Sequence, residues 1–273
     1  MFSPKKQATR FGEPRRHPMN NFFLSSFTLY QREVWRFLRQ KNRIIGALGT
    51  PLVFWLLIGS GLNQSFNVGM NYLQYFFPGT IVLVIFFTTI FSTIAVIEDR
   101  REGFLQGVLV APIPRSAVVF GNLLGGTTLA TLQGLLFACL SPLLGISFGF
   151  GDFFFILMVM VLMAFGLTGL GFILAWRMDS TQGFHAIMNL FLMPLWLLSG
   201  ALFPLDGAPQ WLRLVMRLNP LTYGVSALHH GFYHDAASLQ THLPSAGASL
   251  GITFVFALLM FAGAIKTATK NSY

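Results

Sequence analysis

The sequence predicts an all-α membrane protein: six transmembrane helices, an N-terminal amphipathic interfacial helix, and a re-entrant or interfacial extracytoplasmic segment before the last span. Three observations predict it. Only 10% of the 273 residues are charged, while 54% are hydrophobic, thirty of them Phe; soluble domains average about 25% charged. Six apolar runs reach the roughly 20 residues needed to cross about 30 Å of hydrocarbon. The basic residues fall almost wholly in segments that six spans would place on one side.

Residues 1–21 are polar and rich in Pro, Lys and Arg, with little to bury, and read as a mobile tail. The first forty residues hold no short apolar stretch followed by a small-residue cleavage site, so the first span is expected to be a retained anchor. From Phe22 to Arg43, Phe23, Phe27, Tyr30, Val34, Phe37 and Leu38 recur at helical spacing. Arg32, Arg36, Arg39 and Arg43 form a stripe opposite them. The expectation is one amphipathic helix in the headgroup boundary, its arginine face toward water, lipid phosphate or a protein partner.

The spans are read as Ile44–Leu62, Tyr75–Ile97, Val118–Gly145, Phe153–Trp176, Phe184–Leu205 and Ala246–Ile265. The third is long enough to hold a tilted or broken helix, and Cys139 within it is expected to be a packed thiol. Pro51, Pro78, Pro142 and Pro194 mark kinks, and Gly121/Gly125 and Gly247/Gly251 offer small-residue packing. Phe86, Phe87, Phe91, Phe153, Phe154 and Phe155 read as core or lipid-facing side chains, or as a stacking surface.

Between the second and third spans, five consecutive charges (Glu98, Asp99, Arg100, Arg101, Glu102) precede a small apolar segment stopped by Pro112 and Pro114. This reads as a charge-dense, rigid cytoplasmic element ending at Pro112. Arg177 and Asp179 mark a short loop on the same side. Residues 201–244 are too polar to span and too apolar for a solvated loop. Trp211, Leu214, Val215 and Leu218 share one helical face and Arg213 and Arg217 another, so one or two short helices at the outer interface are expected, capping an exit path. His230 and His234 at i, i+4 could share a face and bind a metal, but the acid of an H-E-x-x-H arrangement is missing. His229 beside them carries no assigned role.

The net charge of +9 is topological. Sixteen of the 18 Lys and Arg fall on the side of the termini, against Arg213 and Arg217 on the other. By the positive-inside rule both termini are cytoplasmic and the charge meets anionic lipid rather than nucleic acid. No phosphate-cradling G-x-x-x-x-G-K-[ST] string occurs, and the six spans contain no Asp, Glu, Lys or Arg. Ion-coupled carriers keep ionisable groups or unwound carbonyl sites at the midplane, and enzymes need a nucleophile, metal or acid/base set. The chain is thus expected to form a path without powering it, the alternatives being an ion-coupled secondary carrier or a non-transporting assembly factor.

Two stretches carry a resemblance. EGFLQGVLVAPIPRSAVVFGN at Glu102–Asn122 and LSGALFPLDGAPQWLRLVMRLNPLTYGVSALHHGFY at Leu198–Tyr233 resemble the post-second-span and outer segments of type-2 permeases of bacterial ATP-binding cassette exporters. Gln106 stands where an acidic residue is common, and Leu228-His229-His230 replaces a stretch that often carries Arg. The resemblance implies a bacterial inner-membrane half-transporter exporting an amphiphile (a drug, a lipid or a lipid-linked saccharide). It implies a permease homodimer and two copies of a separately encoded ATPase that binds ATP and Mg, with no catalytic, cofactor or metal site in this chain. Phe22–Arg43 and Glu98–Pro112, with Gly103 and Leu105 included, would seat on the ATPase. Phe203, Pro204, Pro209, Trp211, Asn219, Pro220 and Tyr223 would form the exit cap. Charge reversal at Glu98, Asp99 or Glu102 is then expected to uncouple hydrolysis from transport without unfolding the protein.

Overall fold

The structure, a computed structural model, describes residues 18–62, 71–233 and 244–270, apart from the side chains of residues 18–21 and 206. Every regular element among them is helical. In chain order these are α1 (Pro18–Arg39), α2 (Lys41–Leu62), α3 (Tyr72–Arg101), α4 (Phe104–Val110), α5 (Arg115–Ala138), α6 (Phe150–Ala175), α7 (Thr181–Trp196), α8 (Gln210–Leu218), α9 (Pro220–Phe232) and α10 (Ala246–Lys270). Among the described residues, six helices are long and apolar enough to cross a membrane: α2, α3, α5 with its extension to Leu144, α6, α7 with its extension to Ala201, and α10.

Helix α3 is the axis of the bundle. Its residues from Tyr75 to Phe86 are buried without interruption, and α2, α5, α6, α7 and α9 all pack on it. Such burial suits an all-round apolar helix, and its few polar side chains are satisfied locally. Thr80, Thr88 and Thr93 donate to the carbonyls one turn back, and Thr88 also meets Gln133 of α5 at 2.7 Å. Glycines set the closest approaches. A Cβ on Gly121 would lie 2.7 Å from the carbonyl oxygen of Ser26, and one on Gly125 2.9 Å from Glu33 Cβ, so α1 lies directly on α5. Gly247 and Gly251 have nothing within 4 Å of that position and join no described helices.

One expectation about continuity is corrected, and breaks occur in the third span and after Pro194, where the sequence predicts a tilted or broken helix and a kink. The single helix Phe22–Arg43 breaks at Gln40, so Arg43 belongs to α2. The third span breaks after α5 into a 3-10 turn, Ser141–Leu144, closed by Gly145 at φ 70°. Cys139 sits at this break, exposed rather than packed. The fifth span turns through a π-helical segment, Leu197–Ala201, once Pro194 removes a backbone donor; Gly200 there has φ 81°, a conformation other residues rarely adopt.

Candidate functional site

Two clusters of the predicted residues assemble at opposite ends of α3. At its C-terminal end the arginines of α1 are turned inward, which corrects the expected water-, lipid- or partner-facing stripe. The Arg32 guanidinium donates to both carboxylate oxygens of Asp99, at 2.7 and 2.6 Å. Arg36 bridges Asp99 and Glu98 at 2.6 Å each. Arg43, from the start of α2, holds the other Glu98 oxygen and reaches the Phe91 carbonyl. The i, i+4 spacing that makes a stripe also brings successive guanidiniums over two adjacent carboxylates. The result is a clasp fastening α1 and α2 to the end of α3. Only Arg39 of the four remains exposed and unpaired among the described residues.

Beneath the clasp lies Glu33, a residue the sequence reading passed over. It is buried against Gly125. Burial is the main cause that pushes its carboxyl up to about 7; Asp99 adds to the rise, while Arg36, Arg32 and Arg43 oppose it. A lone acid in a basic helix was the available signal.

The charge-dense stretch and the short helix prove to be different elements. Glu98, Asp99, Arg100 and Arg101 form the last turn of α3, and α4 carries no charge at all. Between them Gly103, at φ 78°, makes the left-handed corner. Leu105 anchors α4 in the core, while Glu102, Gln106 and Gly107 face outward and Val110 is 88% exposed. Pro112 is exposed beyond its end. The Arg32 guanidinium lies 3.6 Å from the Phe104 ring centroid, so the clasp also touches α4. Arg100 pairs with Asp179 at 3.2 Å and Arg101 donates to the Asp179 carbonyl at 2.7 Å, so this pair ties the loop before α7 to α3.

The clasp bears on the proposed charge reversals. Glu98 and Asp99 are structural partners of α1 and α2, so reversing them attacks the fold itself. Glu102, exposed and outside the ion pairs, is the clean position.

At the other end of α3, residues 201–233 form two dissimilar helices. Leu212 and Met216 of α8 pack over Leu205, Ala208 and Phe203, while Trp211, Leu214, Val215 and Leu218 are exposed. Pro204 precedes a 3-10 turn and Pro209 precedes α8, both with extended backbone. Asn219 ends α8 and caps α9, its side chain accepting from Leu221 N–H and donating to the Leu195 carbonyl; Pro220 follows at the first helical position. Tyr223 returns a hydroxyl to the Arg217 carbonyl at 2.8 Å. Helix α9 is buried among α6, α10 and α3. Tyr72 and Tyr75 of α3 donate to the carbonyls of Leu202 and Gly200, and Trp196 donates to that of Gly79.

His229 is buried between Tyr75 and Tyr233, and His230 contacts the Pro244 carbonyl at 2.9 Å. His234 lies outside the described residues. Among those described, no group of three His, Cys, Asp or Glu could hold a metal.

The sequence itself matches a family. Residues 25–233 fit the model of the ABC-2 type transporter membrane family. The chain belongs to that family. It is 27% identical to a putative transport permease, ycf38, of Cyanophora paradoxa over 93% of this chain and 92% of that one. It is 23% identical to the inner membrane transport permease YadH of Escherichia coli K12, covering 78% and 85%. Nodulation protein J of Rhizobium meliloti is 24% identical over 80% and 82%. This ABC-2 chain is a multi-pass membrane transport permease.

Proposed function

We propose that the chain is the membrane half of an ATP-binding cassette exporter, powered by two copies of a separately encoded ATPase that carries ATP and Mg. A second copy of the permease completes the path, and the cargo is an amphiphile such as a drug, a lipid or a lipid-linked saccharide. The excess of Lys and Arg on their side supports a cytoplasmic placement of both termini and the clasp. The setting is a bacterial inner membrane.

The observation that carries this reading is α4. A short uncharged helix stands out from the bundle between a glycine corner and two prolines, with Gln106, Gly107 and Val110 exposed and Leu105 holding it to the core. An apolar knob on a stiff mount suits a moving partner, because coupling requires contacts that differ between two states. The spans read from the sequence hold no Asp, Glu, Lys or Arg to support ion coupling, which disfavours a secondary carrier.

The test is co-purification of the ATPase with Val110→Asp and Glu102→Arg variants. At least tenfold less ATPase should be recovered with them, while the permease elutes unchanged on size exclusion. Full recovery with both would overturn the docking role of α4.

A further inference from the structure

We propose that the corner between α1 and α2 binds the phosphate headgroup of an anionic phospholipid from the membrane leaflet on the clasp side. The clasp decides which cations are free. Arg32, Arg36 and Arg43 are committed to Glu98 and Asp99, which leaves Arg39 and Lys41, both exposed and without a carboxylate partner among the described residues.

Two adjoining surface hollows meet at this corner. One, of about 570 Å³, is lined by Arg32, Trp35, Arg36, Arg39 and Gln40. The other, of about 440 Å³, is lined by Arg39, Gln40, Lys41, Asn42 and Arg43. They share Arg39 and Gln40, and no carboxylate lines either one. Arg32, Arg36 and Arg43 are neutralised by Glu98 and Asp99, so the uncompensated charge of the hollows comes from Arg39 and Lys41.

Depth selects a lipid as the occupant. The exposed arc of α1 is mostly apolar, with Phe23, Leu24, Phe27, Trp35 and Leu38 beside Thr28 and Gln31. Trp35, 62% exposed, stands at the rim of that arc. Arg39 follows it by four residues, about 40° further round the helix. Beyond the corner, α2 turns apolar at once, with Ile45 and then Leu52, Val53, Leu56 and Leu57 exposed. The corner therefore sits where hydrocarbon gives way to headgroups, with an aromatic anchor beside two free cations.

The test needs no ATPase, so its outcome is independent of the function proposed above. The full-length permease, in detergent micelles doped with phosphatidylglycerol or phosphatidylcholine, is examined by native mass spectrometry. The protein should retain phosphatidylglycerol in preference to phosphatidylcholine. R39Q/K41Q should retain it about thirtyfold less well, from roughly 1 kcal/mol for each basic residue near the surface. R39K/K41R should restore retention, which separates charge from folding. Equal retention of the two lipids, or no change in R39Q/K41Q, overturns the proposal.

Discussion

Replacing Asp99 with Asn should loosen α1 from the bundle. Asp99 is buried and accepts three charge-assisted hydrogen bonds, two from Arg32 and one from Arg36. Removing one partner of a buried ion pair costs about 3–5 kcal/mol, because the other charge is left without compensation. Here the Arg32 side chain is 31% exposed and Arg36 keeps Glu98, so the cost is discounted to about 2–3 kcal/mol. The readout is local opening at Ser26, a buried α1 residue whose hydroxyl donates to the Ala117 carbonyl of α5 at 3.3 Å. With Ser26→Cys in a Cys139→Ser background, a membrane-permeable thiol reagent labels only when α1 lifts. At 1.36 kcal/mol per tenfold, labelling should accelerate about 30- to 150-fold in Asp99→Asn. A rate within threefold of the parent would refute the clasp as the fastening of α1.

The seat of α1 should also depend on pH through Glu33. Its carboxyl is raised by burial from 4.5 to about 7, so its contribution to stability is fully present below about 4.5 and is lost as pH rises through 7. The shift corresponds to at most about 3 kcal/mol. A spin-label distance between Leu24→Cys and Leu132→Cys should broaden at pH 8 relative to pH 5, and Glu33→Gln should abolish the difference; a profile that Glu33→Gln leaves unchanged would sink the assignment. Gly121→Val should displace α1 and cost about 1–3 kcal/mol by overpacking, whereas Gly247→Val should be near neutral, as thermal unfolding of the two would show.

The bundle was legible because spans are a matter of length and composition. A run such as Tyr75–Ile97 needs no knowledge of its neighbours. The amphipathy of α1 was legible for the same reason, since spacing alone defines a stripe. What meets the stripe was not, because Arg32 and Arg36 find Asp99 and Glu98 across 62 to 67 residues of chain. Periodicity also carried the stripe across Gln40 into Arg43, though the helix breaks there. The charges at Glu98–Glu102 suggested a grip on a partner, whereas four of the five close α3 and the uncharged α4 protrudes. Helix α9 was underestimated because its 13 residues are too short to read as a span, and only packing reveals that it is buried.

The burial of α3 has a mechanical consequence. At about 1.5 Å per residue, its 30 residues make a strut of roughly 45 Å. Five neighbouring helices grip it along its length, so sliding it would cost close-packed contact everywhere at once. One end is bolted by Asp99 and Glu98 to three arginines. The other is pinned by Tyr72, Tyr75 and the Gly79 carbonyl to the irregular turn that begins the outer segment. A strut held this way links its two ends mechanically. A small displacement of the arginine-bearing helix would then be felt by residues 197–202 at the opposite end of α3.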